Sequence, residues 1–160
     1  MGSTPVQTTY TYPHAAAVAG MPDGLNYDDD TGVVETAAGI GFGLAVSQGT
    51  NDLGVIIGGT VAGFRGITLK DVTLEASQSD LYAQYQNCAI RQEGKVWVKV
   101  NETAGVAAGD PVYFSPTTGL LYKGIATDAT ALGPLLGARW VDSAILNGLA
   151  RVDLPDYNQA

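Results

Sequence analysis

Valines at positions 96, 98 and 100 alternate with Lys95, Trp97 and Lys99, the period of two that a strand shows when one face is buried. Gly105 and the Ala108-Gly109-Asp110-Pro111 cluster break that run. Pro111 has no N–H, so it suits the first residue of a strand and not its middle. Val112-Tyr113-Phe114 reads as the next strand, Pro116-Thr117-Thr118-Gly119 as a tight reversal, and Leu120-Leu121-Tyr122 as the returning strand. The stretch from Lys95 to Gly124 therefore predicts a β-meander.

The rest of the chain repeats this grammar. Residues 39–46 (GIGFGLAV) read as a strand whose glycines allow tight bends. They do not fit a dinucleotide-binding loop, because the third glycine is misplaced and no helical pattern follows. Residues 47–52 are a polar turn, and residues 53–57 and 60–64 are short strands divided by Gly58-Gly59. Residues 66–69 resume the sheet. Tyr82 and Tyr85 stand in a polar context, which suggests an exposed loop or one short helix. Residues 87–92 are a strand, and Glu93-Gly94 the turn that leads into Lys95. Residues 126–133 are a loop, 134–141 a strand, and Asn147-Gly148 a turn dipeptide before the closing strand at 149–154. The expectation is at least eight short strands, mostly antiparallel, with no helix longer than three turns. Val96, Val98, Val100, Val112, Phe114, Leu121, Ile125, Val141, Leu149 and Val152 are expected inside, while Trp97 and Trp140 suit either the core or an intersubunit face.

The first 38 residues read differently. Thr8-Thr9-Tyr10-Thr11-Tyr12 has strand propensity, but Pro5 and Pro13 bracket it and no turn pairs it with a neighbour. Residues 1–13 are thus an extended arm, either a disordered tail or a strand that adds to another subunit's sheet edge. Residues 15–20 suit one helical turn, stopped by Gly20 and Pro22. Asp28-Asp29-Asp30-Thr31-Gly32 has the oxygen ligands of a calcium loop but not its distal Glu, and reads as a solvated acidic loop. The resulting division is an arm and acidic loop at 1–38, a β domain at 39–155 and a polar tail at 156–160.

Composition fits that picture. With 160 residues, one domain is expected; 21 glycines and only eight Lys and Arg favour short strands and tight turns. No apolar run approaches the ~20 residues that span a bilayer, and no basic segment precedes an apolar one, so the chain reads as soluble without an export signal. Cys88 is the one cysteine, so no intrachain disulfide forms, and it reads as a small buried hydrophobe. Of the net charge of −8, the part before Arg65 holds six acids (Asp23, Asp28, Asp29, Asp30, Glu35 and Asp52) and no Lys or Arg. Such a region repels a phosphate backbone and attracts a basic protein partner.

No catalytic constellation emerges. His14, the one histidine, lies in the arm, and Cys/His metal sites need more of both residues. Asp110, Asp128, Asp142 and Asp153 near strand ends leave a carboxylate pair open, although turn aspartates are ordinary. Trp97, Tyr113 and Trp140 suggest a sugar-stacking platform, with core packing as the plainer alternative. No catalytic, metal-binding or cofactor-binding residue is assigned.

The order of several segments carries a resemblance. Phe42-Gly43-Leu44-Ala45-Val46-Ser47 and Phe64-Arg65-Gly66-Ile67 precede a Tyr-containing loop and the run from Ala89 to Val98 (AIRQEGKVWV). Ala108-Gly109-Asp110-Pro111-Val112-Tyr113, Gly137-Ala138-Arg139-Trp140 and Gly148-Leu149-Ala150-Arg151-Val152-Asp153-Leu154 follow. This succession, over residues 39–154, resembles the capsid cement (decoration) proteins of tailed bacteriophages. The resemblance implies an all-β fold, a small antiparallel β-barrel or jelly-roll-like sandwich with an extended N-terminal arm. It implies a non-enzymatic virion protein, made in the bacterial host cytoplasm, on the capsid exterior and without a cofactor. Its partners would be the major capsid protein and itself, a homotrimer ahead of a homodimer, with neither nucleic acid nor membrane. Arm and charge together nominate Pro5, Tyr10, Tyr12, Pro13, Asp28, Asp29 and Asp30 as partner-binding residues. A carbohydrate- or receptor-binding virion module, from a head fibre or tail component, is the alternative, and a carboxylate hydrolase a third reading.

Overall fold

Strand pairing closes the first half of the chain into a ring. The computed structural model describes residues 17–73 and 80–155. Its longer strands are β1 (Pro22–Val34), β3 (Ala45–Gln48), β4 (Gly54–Ile57), β5 (Phe64–Thr68), β7 (Asn87–Lys99) and β11 (Leu149–Leu154). Two-residue strands β2 (Ile40–Gly41), β6 (Leu81–Tyr82), β8 (Tyr113–Phe114), β9 (Leu121–Tyr122) and β10 (Arg139–Trp140) complete the set. β1, β4, β3, β5 and β7 hydrogen-bond in that order, and β7 pairs back onto β1, so the sheet closes as a five-stranded barrel. β1 and β4 run parallel, and every other strand pair is antiparallel. β11 and then β10 extend the sheet beyond β7. Among the described residues there is no helix. The fold is all-β, a small barrel with added strands.

β7 joins the two halves. Its first part pairs with β5 at Arg91 and Ile90, its second part pairs with β11 from Gly94 to Lys99, and β1 runs along its other edge. Val96, Val98 and Val100 are buried, as their alternation with Lys95, Trp97 and Lys99 predicts. They join Val112, Phe114, Leu121, Trp140, Val152 and Leu154 in the larger core. A smaller core gathers Val34, Val46, Val55, Cys88 and Ile90 from four barrel strands, with Ile40 and Tyr82 from the β2–β6 pair. Each fully buried valine contributes roughly 1.5–3 kcal/mol relative to an exposed one.

Several elements differ from the sequence reading. Glu93-Gly94 makes no turn. β7 runs through it, because Gly94 adopts φ +97° and the flanking residues are held by β1 on one edge and β11 on the other. Residues 39–46 split into β2 and β3 around a turn in which Gly43 has φ +70°. Of residues 60–64 only Phe64 is in a strand, and of residues 134–141 only Arg139 and Trp140 are. Tyr82 is buried: its hydroxyl donates to the Leu69 carbonyl (2.8 Å), its ring meets Phe42 edge-on, and burial pushes its phenol up to about 12. Cys88 is buried as expected, and burial raises its thiol to about 11. Ile125 is 60% exposed, beyond the end of the β8–β9 ladder, and Val141 and Leu149 are half-buried where β10 ends and β11 begins. Trp140 is core, its Nε1 donating to the Tyr122 carbonyl (3.3 Å).

The N-terminal region is corrected most. Asp28, Asp29 and Asp30 lie in a strand of the main sheet, not in a loop. Residues 17–20 pack on the barrel instead of extending away. Ala17 is buried, Gly20 donates to the Trp97 carbonyl (2.7 Å) and accepts from the Lys70 N–H (2.8 Å), and a turn closed by Met21 N–H to Val18 replaces the expected helical turn there.

Candidate functional site

β1 cannot follow β7 residue for residue. Asp23 faces Lys95 and Asp28 faces Glu93, so residues 24–27 stand opposite Gly94 alone and the strand bulges outward. Gly24, at φ +85° with open space where a Cβ would be, lets the chain leave the ladder. Leu25 at the top of the bulge is 94% exposed.

A buried arginine fixes the base of this bulge. Arg91, on β7, donates from Nε and Nη2 to the two carboxylate oxygens of Asp29 (2.7 and 3.0 Å). Its Nη1 donates to the Lys95 carbonyl (2.7 Å) and, at 3.5 Å, to the Asp23 carbonyl. The Tyr27 ring covers the guanidinium at 4.6 Å. One side chain thus ties together the residues that enter and leave the bulge, with the two-pronged geometry that arginine offers a carboxylate.

Two further pairs pin β1. Asp30 binds Arg65 of β5, with Gln92 Nε2 donating to the same carboxylate (3.2 Å). Asp23 accepts from Arg151 of β11 (2.9 Å), whose other donors reach Asp142 (both 2.7 Å) and whose plane lies over Trp97. The hydrogen bonds from Arg151 hold the Asp142 carboxyl below its usual range, and the two aspartates raise Arg151 in turn. Part of the charge that is uncompensated along the sequence, at Asp23, Asp29 and Asp30, is therefore compensated in space by arginines far downstream. Among the described residues no ion pair reaches Asp28 or Asp52. Glu35 accepts the Thr50 and Asn51 backbone N–H groups and holds the turn before β4; those bonds hold its pKa below the usual carboxylate value.

Beside the bulge is a groove of about 570 Å³, bounded by Leu25, Gly94, Leu154 and Pro155 and edged by Glu93, Lys95 and Asp153. No ion pair within the described residues involves those last three. The surface offers one fully projecting aliphatic side chain, an aromatic ring, and a net negative rim. That chemistry suits association with a basic or apolar protein surface.

The other sequence candidates fall out as follows. Pro5, Tyr10, Tyr12, Pro13 and His14 lie outside the described residues. Asp28, Asp29 and Asp30 come together on β1, but two of the three serve the fold. The aromatic platform is not assembled, because Trp140 is in the core and Trp97 is stacked under Arg151. Asp110 and Asp128 cap their own turns by accepting backbone N–H groups of Ala107 and Thr130. Hydrogen bonds hold the carboxyls of Glu35, Asp71, Asp128 and Asp142 below their usual range, the opposite of what a general acid requires. Leu25, Glu93 and Asp153 were missed, since nothing in a sequence marks where one strand outgrows its partner.

Fold and surface together define a small all-β barrel protein with a projecting bulge anchored by Arg91. The family model described as "Structural cement protein (E217 gp24/Pam3 gp6)" matches residues 6–155, and the chain belongs to that family. It is a structural protein of the phage capsid with a cement, or decoration, role. A chain of the solved structure titled "The capsid of Myoviridae Phage XM1" shares the fold, with a TM-score of 0.74 at 15% identity over 96% of this chain and 99% of that one. A chain of "The crystal structure of head fiber gp8.5 N base in bacteriophage phi29" gives a TM-score of 0.45 at 11% identity, over 81% of this chain and 94% of that one. No curated protein matches.

Proposed function

We propose that the protein sits on the outside of an icosahedral shell and bridges neighbouring major capsid protein subunits, as a homotrimer ahead of a homodimer. The family match over residues 6–155 supports the capsid role; the projecting Leu25 on its Arg91-anchored bulge supports this face as the one that meets the shell. Asp28 and the groove carboxylates Glu93 and Asp153 supply the charge that draws in a basic partner. The arm adds a second attachment: Tyr10 and Tyr12, between Pro5 and Pro13, extend onto a neighbouring subunit. A net charge of −8 argues against nucleic acid as a partner, and the role is non-enzymatic and needs no membrane. The protein is made in the host cytoplasm, where shells assemble.

Co-sedimentation with undecorated capsids tests this. Leu25→Asp, at an exposed position, leaves the domain folded and lowers occupancy at least tenfold. Removing residues 1–15 also weakens attachment; a cut at residue 20 is not equivalent, because residues 17–20 pack on the barrel. Full occupancy with both changes combined would refute the attachment surface.

A further inference from the structure

Three turns gather at one end of the molecule. Val106 bridges to Ala144, the Ala108 N–H donates to Ser143 Oγ (3.3 Å), and the Asn147 N–H donates to the Val100 carbonyl (2.9 Å). On the other flank the Thr103 N–H donates to Thr127 Oγ1 (3.1 Å). Contact is tight enough that a Cβ on Gly105 would lie 2.7 Å from the Ala144 carbonyl oxygen.

The exposed side chains of these turns are aliphatic, small or uncharged polar ones. Ile145 is 80% exposed, and Ile125 and Leu146 are exposed as well. None of the exposed residues at 101–109, 124–130 and 143–147 carries a charge. Of the two carboxylates within these turns only Glu102 is withdrawn from solvent. Glu102 is buried, one of its oxygens accepting from the Thr127 hydroxyl, and half-buried Asp128 accepts from the Thr130 N–H and hydroxyl. Such a patch on a protein of net charge −8 calls for a partner that is itself uncharged there. A basic shell would be met better by the acidic bulge face. A second copy brings its own −8; copies meeting at the acidic bulge face would oppose like charges, whereas copies meeting here would oppose only the partly exposed Asp128.

We propose that this end is where the protein binds a second copy of itself. The inference rests on the reading of the protein as a self-associating capsid component, and it assigns that association to residues on the far side of the chemistry that meets the shell. Aliphatic contact between Ile125, Ile145 and Leu146 of adjoining copies would exclude water, and the short Ala and Thr side chains around them lose little entropy on packing.

Sedimentation equilibrium across a range of protein concentrations, paired with capsid co-sedimentation, tests it. Wild type is expected to self-associate, the double variant Ile125→Asp/Ile145→Asp to do so at least tenfold more weakly, and Leu25→Asp to match wild type. Both isoleucines are exposed, so the fold should survive; Ile125→Ser/Ile145→Ser, with the same expected direction, serves if the aspartates lower the melting temperature. Wild type that remains monomeric throughout, or a double variant that associates undiminished, would overturn the inference. So would a double variant that associates normally yet fails to decorate capsids, since this end would then face the shell. Self-association lost in the double variant but kept in Leu25→Asp supports the inference even if wild type fails to decorate, a result that would count against the attachment reading alone.

Discussion

Arg91 is buried, yet it stands on the outward side of a strand whose inward positions are Cys88, Ile90, Val96 and Val98. What buries it is the bulge of β1, through Asp29, Tyr27 and the Asp23 carbonyl. A guanidinium so enclosed tolerates loss of its carboxylate poorly, because a buried charge without its partner costs about 3–5 kcal/mol and the partial exposure of Asp29 softens that. Asp29→Ala is therefore expected to destabilise the protein by about 2–4 kcal/mol in urea unfolding. Arg91→Met, which removes the charge and keeps much of the volume, should cost less. The reverse ranking would mean that Arg91 is solvated and does not organise the bulge. Acidity tests two carboxylates nearer the surface, Asp142 beside Arg151 and Glu35 in the turn before β4. Asp142 and Glu35 have lowered pKa values, so each binds protons more weakly folded than unfolded. Their contribution is fully present above their ordinary values of 3.8 and 4.5 and is lost as pH falls through the lower folded values. Melting temperature should hold steady from pH 7 to about 5 and fall below about 4, with a shallower fall in Asp142→Asn.

At the scale of elements, legibility followed hydrogen-bond pattern and range. The valine alternation of β7, the β8–β9 hairpin around residues 116–119 and the closing strand β11 were readable because each rests on local alternation and turn chemistry. Glu93-Gly94 misled because a local turn signal lost to two ladders formed by β1 and β11, whose residues lie far away in sequence. The acidic run of β1 misled for a related reason: aspartates disfavour strands, but here Asp23, Asp29 and Asp30 are neutralised by Arg151, Arg91 and Arg65. No reading of residues 22–34 alone reveals those partners. Of the candidate site, only Asp28 to Asp30 were legible, and the bulge that displays Leu25 was not. Because Gly94 sits at φ +97° within a continuous strand, Gly94→Ala should cost about 1–2 kcal/mol. A stability unchanged within a few tenths of a kcal/mol would show that β7 bends there without needing glycine.

For the whole molecule, the distribution of charge and apolar surface sets how the shell is gripped. Exposed ion pairs contribute only about 0–1 kcal/mol each and are screened by salt. Apolar burial contributes roughly 25 cal/mol per Å² and is repeated over many symmetric copies. Attachment should then survive about 1 M salt, while addition to bare capsids slows as salt rises. Asp28→Asn is the clean probe of the steering charge, since Asp29 and Asp30 hold the fold; it should slow addition modestly and leave bound protein in place. Shedding by salt alone would reverse the ranking of the two forces.

The central claim is one of placement, and a cryo-EM reconstruction of capsids decorated with this protein tests it most directly. The expected map has barrel density on the outer surface of the shell, with the residue 24–27 bulge and Leu25 against capsid subunits. The Ile125/Ile145 end should meet the same end of a neighbouring copy. Density on the inner surface, or barrels outside the shell with the bulge turned to solvent, would contradict the account.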